Sequence, residues 1–431
     1  MIKKKINRLL SSILGVALTI GIMQMPAFAD DSVQALSSST NANLTDNKSY
    51  TVNKDNSVEQ NGLKIRMNKI VATKHKLKVT VLVENQKPFD KTQGDNIISQ
   101  LTYGENNHGS ESISNDYIDE KTLRINFERN THDDEEFPEK GELRVDLVMP
   151  KYKVNVGIDA DVDFTESFKN TIEKDISEKI PDLNSTLKKV EVSNLGTEIT
   201  CIDSKIDISD RENSNAFMQA TMILKVGDKM YKVRHSGSHT TGKSENDHMS
   251  ISTFETEAAT YDIVKDQKDI SIIPIICNMT WGEIQNINKT YANRKNDEGN
   301  NANKETINNV TYDKYFEFSN GNKGEIYNIE RNDNSIKVYC KGTSEKESLL
   351  IASNIYMNYH IDHVEEGKFD MSNYYDGNND ISFYKDSKDA LGYVVEFNNV
   401  QKDKAVELRI MNNIISQIDK FKVGDEIQIS K

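Results

Sequence analysis

The chain has 431 residues, of which 36% are apolar, 28% charged and 7% aromatic, and it carries a formal net charge of −14. At roughly 150 residues per domain that length predicts about three domains, and a mean hydropathy of −0.66 excludes a polytopic membrane protein. Six prolines and 21 glycines exclude a collagenous or proline-rich fibrous chain.

At the amino terminus Lys3, Lys4, Lys5 and Arg8 precede an uncharged stretch from Leu9 to Ala29 that closes on Pro26-Ala27-Phe28-Ala29. Basic residues, an apolar run and small residues at the processing point predict an export signal over 1–29, cleaved after Ala29. The alternative is a retained anchor, but Ser11, Ser12, Gly15, Thr19, Gly21 and Gln24 dilute the stretch. The signal holds four cations and no acid, so its removal takes the formal charge from −14 to −18. An acidic surface repels phosphate backbones, which argues against nucleic acid as a partner.

Residues 30–56 contain Ser37-Ser38-Ser39-Thr40 and many Asn and Asp. Too little apolar area is available there to offset chain entropy, which predicts a flexible leader. From Gly62 the apolar period becomes two, with Leu63, Ile65 and Met67, then Leu77, Val79, Val81 and Val83. Leu123-Arg124-Ile125-Asn126-Phe127, Leu143-Arg144-Val145-Asp146-Leu147 and Tyr152-Lys153-Val154-Asn155-Val156 repeat it. Half-buried strands at this spacing predict a β-sandwich over 57–163.

Phe168, Ile172, Ile176 and Ile180 recur every four residues before Pro181. That spacing predicts a connector helix within 164–186, ended by the proline. A second set of strands, Val190-Glu191-Val192, Ile199-Thr200-Cys201-Ile202 and Met218 to Leu224, predicts a sandwich over 187–285. Gly227-Asp228 reads as a hairpin turn into Met230-Tyr231-Lys232-Val233, and the apolar run Ile270 to Cys277, with Pro274 inside it, as a buried strand with a bulge. Residues 286–309 are mostly Asn, Lys, Glu and Asp and read as a linker. Beyond it Tyr315-Phe316-Glu317-Phe318, Ile336-Lys337-Val338-Tyr339-Cys340 and Tyr393-Val394-Val395-Glu396-Phe397 predict a third sandwich over 310–431. The expected fold is therefore mainly β, in tandem sandwiches with a signal helix and one short connector helix.

Val58-Glu59-Gln60-Asn61-Gly62-Leu63-Lys64-Ile65, Leu77-Lys78-Val79-Thr80-Val81 and Asn194-Leu195-Gly196-Thr197-Glu198-Ile199 resemble uncharacterised immunoglobulin-like ectodomains of Gram-positive bacterial envelope proteins. These are domains of unknown function often encoded beside extracytoplasmic sigma factors. The resemblance covers 57 to about 285 and implies an immunoglobulin-like fold, with no catalytic residue to carry over. Members commonly begin with a cytoplasmic segment and a membrane span, whereas this chain begins with an export signal.

Several motifs suggest chemistry and fail on context. Gly237-Ser238-His239-Thr240-Thr241-Gly242-Lys243-Ser244 matches the phosphate-binding loop pattern. That loop must open a helix, yet Glu245-Asn246-Asp247-His248 and the alternating Met249-Ser250-Ile251-Ser252-Thr253 follow, so a polar hairpin tip is expected. His235, His239 and His248 with Glu245 and Asp247 supply zinc donors, but on one strand His235 and His239 would stand about 13 Å apart. His360 and His363 point to opposite faces of any strand there. Asp376, Asn378 and Asp380 have calcium-loop spacing, but Ile381 replaces the turn glycine and Ser387 the closing glutamate. Asp133-Asp134-Glu135-Glu136 reads as a solvated charged loop. Three cysteines leave at least one outside any intramolecular bridge. Cys201 and Cys277, with Trp281 nearby, fit an inter-sheet bridge or a pair of buried thiols equally well.

No metal, cofactor or catalytic residue is therefore assigned. The expectation is a secreted or envelope-associated, non-catalytic protein whose sandwich modules bind a protein or glycan at the cell surface, without nucleotide, and with membrane contact only if the signal is retained. The alternative is an extracellular or wall-active hydrolase with a site assembled from dispersed residues.

Overall fold

The computed structural model describes residues 56–90, 97–104, 110–131, 135–181, 185–203, 221–241, 249–280, 282–283, 285–286, 303–359, 375, 377, 381–411 and 417–430. The chain is mainly β, as its alternation predicts. Among the described residues no helix is long and apolar enough to cross a membrane.

The first domain is built from β1 (Ser57–Gln60), β2 (Leu63–Ala72), β3 (Lys76–Asn85), β4 (Ile98–Tyr103), β5 (Ser110–Tyr117), β6 (Thr122–Asn130), β7 (Lys140–Met149) and β8 (Val154–Asp163). One sheet has the order β1-β2-β3-β6-β5 and the other β4-β7-β8. Naming β2 to β8 as strands A to G turns these orders into A-B-E-D and C-F-G, the immunoglobulin constant-type arrangement with β1 added at the A edge. Asn61 and Gly62, both at positive φ, form the two-residue turn that pairs Gln60 with Leu63. Ile65, Val81, Ile125, Leu143 and Leu147 are fully buried between the sheets. The alternating apolar positions thus supply one core, and Lys64 with Lys76, Lys78 and Thr80 of β3 stand on the outward faces.

The predicted connector helix is corrected. Helix α1 covers only Thr165–Lys169, and Ile172–Ile180 is strand β9. A spacing of four satisfies a strand's period of two as well as a helix's 3.6. Ile172, Ile176 and Ile180 lie on one face of an edge strand against the second core, and three β-branched residues favour that outcome.

The second domain thus starts before residue 187. Strands β9, β10 (Ser185–Ser193), β11 (Gly196–Asp203), β12 (Thr221–Val226), β13 (Lys229–Thr241), β14 (Met249–Thr256) and β15 (Ile270–Cys277), with the short helix α2 (Tyr261–Val264), form it. One sheet runs β9-β10-β11-β14 and ends on the far half of β13, while the near half of β13 pairs with β12, which pairs with β15. A register shift between His235 and Gly237 lets this one strand serve both sheets. Gly227, at positive φ, makes the expected hairpin with Asp228.

The third domain comprises β16 (Lys304–Ile307), β17 (Val310–Asp313), β18 (Tyr315–Glu317), β19 (Lys323–Arg331), β20 (Ser335–Lys341), α3 (Glu345–Ala352), β21 (Ile355–Tyr359), β22 (Ser382–Lys385), β23 (Tyr393–Asn398) and β24 (Val406–Ile410). Strand β16 corrects the predicted linker at its distal end, where Lys304–Ile307 pairs with β17. Ser344 caps α3 by accepting from the Glu347 N–H, and the Glu347 carboxylate accepts from the Thr343 N–H. The sheet β18-β19-β20-β23-β22 continues directly into β13, and one apolar core holds Val338, Phe383 and Leu350 together with Ile223, Ile275 and Cys277 of the second domain. Strands β25 (Phe421–Val423) and β26 (Ile427–Ser430) then return to β15. Pro274 lies where the partner of β15 changes from β26 to β25, so its missing N–H breaks no ladder there.

Candidate functional site

Much of the motif region lies outside the described residues, including 242–248, His360, His363, Asp376, Asn378, Asp380, Asp133, Asp134 and Trp281. What is described places Gly237 to Thr241 inside β13, with Thr241 opposite Met249 of β14. The glycine-rich match is a strand of a hairpin at this point. His235 shares that strand with His239 and turns edge-on to Phe254, 5.4 Å between ring centroids, and burial lowers its pKa. Ile381 is buried, and Glu136 pairs with Lys74 at 3.3 Å. All three cysteines are buried free thiols. Cys201 belongs to the second core and Cys277 to the core shared with the third domain, so they do not form a bridge.

Two constellations stand out that the sequence had not paired. The first joins the outer faces of the first two domains. Apolar residues of β3 point inward, which leaves Lys76 and Lys78 on the outer face, and β14 likewise buries Phe254 and presents Glu255. Lys76 Nζ lies 2.6 Å from Glu255, 3.5 Å from Glu198 and 3.6 Å from Glu128, and Lys78 Nζ lies 2.5 Å from Glu257. Burial alone would lower the Lys76 pKa, but the surrounding carboxylates raise it well above its ordinary value.

Beside this cluster His75, Glu173 and Glu191 bring one imidazole nitrogen and two carboxylate oxygens within 4.8 Å of one another, a geometry able to hold a cation. The place is taken by the protein's own ammonium. Lys189 Nζ lies 3.0 Å from Glu173, 3.2 Å from Glu191 and 3.4 Å from His75 Nε2. His75 Nδ1 is 3.0 Å from the Glu135 carbonyl, so Nδ1–H donates there and Nε2 accepts from Lys189. The arrangement fastens two domains together and leaves no open coordination position of the kind a reactive metal needs.

The second constellation is a groove of about 1100 Å³ where β22 parts from β13, bounded by the β12–β13 hairpin, the start of α3 and the β25–β26 connection. Strand β22 pairs with β13 only through Ser382 and Phe383, so the two strands diverge beyond Phe383 and open the space. Its apolar floor includes Met230, Ile273, Leu349 and Val423, and Tyr339, Tyr384 and Tyr393 line it as well. The Lys385 ammonium sits 4.3 Å from the centroid of Tyr393 and 2.8 Å from Glu345. Glu396 pairs with Lys229 at 3.3 Å and Lys337 at 3.2 Å, and Glu426 with Lys225 at 3.0 Å. Burial would raise the Glu396 pKa, but these lysines hold it below the carboxylate range; Glu426 is lowered by the Ser271 hydroxyl and Lys225. Among the described residues Lys346 and Lys388 have no ion-pair partner, which leaves two cations at the mouth. The groove offers fixed charges, tyrosine rings and apolar surface, suited to recognition. No local sequence signal identifies it, because its walls come from strands far apart in the chain.

No family model and no curated protein matches the chain. Among solved structures it is similar to a conserved domain protein from Bacillus anthracis, at 16% identity and a TM-score of 0.39, over 53% of this chain and 80% of that one. It is also similar to the N-terminal periplasmic domain of ScsB from Proteus mirabilis, at 10% identity and a TM-score of 0.16, over 53% of this chain and 94% of that one.

Proposed function

We propose that this chain is an exported protein, secreted or held on the outer side of the cell envelope, that binds a protein or glycan through the groove between its second and third domains without catalysing a reaction. The observation that carries this reading is the state of Glu396 and Glu426, two of the five carboxylates that line the groove. Glu396 and Glu426 are both ion-paired and held ionised. Hydrolysis of a glycosidic or peptide bond by paired carboxylates needs one acid that keeps its proton near neutral pH, through a raised pKa. These acids are biased the other way, toward fixed anions that orient lysines. Export rests on the basic, apolar and small-residue pattern of residues 1–29.

The test is sedimentation of the purified mature protein with cell-envelope material, for the unaltered chain and for Tyr384→Ala and Lys346→Ala variants. Loss of binding in the variants, with unchanged thermal stability, is the expected result. Equal binding by all three would dismiss the groove. Release of soluble fragments that stops with Glu396→Gln would establish the hydrolase instead. Sequencing of the extracellular species should find Asp30 at its amino terminus, and an intact Met1 on a cytosolic species would end the export reading.

A further inference from the structure

The open edges of the sheets differ in how they are protected. Strands at a sheet edge expose unpaired N–H and C=O groups and are ordinarily blunted by shortness, lysine, proline, a bulge or a covering segment. Strand β1 has four residues and β18 three. Strand β9 carries Lys174 and Lys179 and has a register shift, and β16 carries Lys304. The β8 edge is covered from the β1 side, where the Gln60 side chain accepts from the Asn155 N–H. On β4 the Glu111 carboxylate accepts from the Leu101 N–H.

Strand β5, Ser110-Glu111-Ser112-Ile113-Ser114-Asn115-Asp116-Tyr117, supplies that Glu111 and is otherwise without these devices. It pairs with β6 over all eight positions without a register shift, and among the described residues nothing pairs with its other side. It contains no lysine or proline. Asp116 is already held by Arg124 in two hydrogen bonds of 2.8 and 2.7 Å, which removes one charge that would repel an incoming strand. Ile113 is 41% exposed, Ile118 just beyond the strand is 52% exposed, and Ile98 on the neighbouring edge β4 is 63% exposed. Apolar side chains and an open ladder therefore coincide at one side of the first sandwich.

We propose that this edge pairs with the same edge of a second copy of the chain, antiparallel about a two-fold axis at Ile113, joining two five-stranded sheets into one. The sequence is self-compatible in that register. Ile113 meets Ile113, Ser112 meets Ser114, Glu111 meets Asn115 and Ser110 meets Asp116. Sliding by one residue sets Ile113 against Ser114 in one direction and against Ser112 in the other, and either slide loses the apolar pair. The contact is isologous and closes at two copies.

The experiment uses the full mature chain. Light scattering at concentrations up to millimolar should give twice the chain mass, and Ile113→Lys, which places two ammonium groups opposite each other, should give the single mass. Because a surface lysine also alters solubility, mild oxidation of an Ile113→Cys variant supplies a second readout. A cysteine on the axis faces itself and crosslinks, while Asn115→Cys leaves its thiols roughly 13 Å apart along the strands and does not. A monomeric unaltered chain, a dimer that survives Ile113→Lys, or equal crosslinking at both positions overturns the proposal. A monomer whose Ile113→Cys form instead crosslinks to another envelope protein overturns it in favour of a foreign strand.

Discussion

The two junctions between consecutive domains are made of opposite materials. The first and second domains meet through lysines and glutamates on outer sheet faces, with Lys76 and Glu255 each only 13% exposed. The second and third share a continuous sheet and one apolar core. Ion pairs of this kind hold a geometry while adding little net stability, because desolvation offsets most of the attraction. Shared apolar burial makes two domains into one cooperative unit. The first domain is thus the separable one, and the other two stand or fall together.

The largest expected effect is on the apolar side. Phe383 is fully buried where β22 meets β13. Phe383→Ala should cost ~3–5 kcal/mol, and denaturant unfolding should show the second and third domains lost in one transition. Two separate transitions for them would break the comparison. On the ionic side Lys76→Met should cost ~3 kcal/mol, since it takes the nearest cation from the buried Glu255 and leaves it Arg234 at 3.5 Å. Calorimetry should then show the first domain melting independently, with the transition of the other two unmoved.

Acid should act on the same junction. Burial raises the pKa of Glu128 and Glu255, but Lys76, Lys78 and, for Glu255, Arg234 outweigh it, so both lie below their ordinary 4.5. Their stabilisation is complete above that value and is lost as pH falls through the lower folded values. Glu198, raised by burial, works the other way and eases its own penalty at somewhat higher pH. X-ray scattering should therefore find the junction intact down to about pH 4.5 and progressively extended as pH falls from there toward the folded value of Glu255, about 2. The smallest effect is expected at Lys232. Burial, reinforced by Arg234, lowers its pKa to about 8, and its N–H donates to Ile381 at the fused junction. Between that value and 10.5 the unfolded chain holds a proton the folded chain has released, so stability rises with pH. Lys232→Met should abolish this rise and add on the order of 1 kcal/mol at neutral pH, allowing for the side chain's part exposure.

The first sandwich was legible in five of its eight strands, because Leu63 to Met67 and Leu143 to Leu147, like the other three, need no distant partner to reveal their buried face, whereas β1, β4 and β5 lack that alternation and were not read. The segment holding Ile172, Ile176 and Ile180 was misread because a four-residue spacing fits both periods, and only β10 decides between them. Neither junction was legible. Lys76 and Lys78 alternate with Leu77 and Val79 in plain view, as does Glu255 beside Phe254, but long-range pairing between outer faces leaves no local periodicity. The groove was invisible for the same reason, since Lys229, Lys385 and Glu426 meet only after three stretches of chain converge.

The return of β25 and β26 to β15 also bears on when the molecule is assembled. Those two short strands are separated from their partner by the whole of the third domain, so a chain emerging from the ribosome cannot finish its middle sheet until the third domain has followed it out. The first sandwich depends on no such late arrival and can form at once. The second and third domains close their shared sheet together, in one late step.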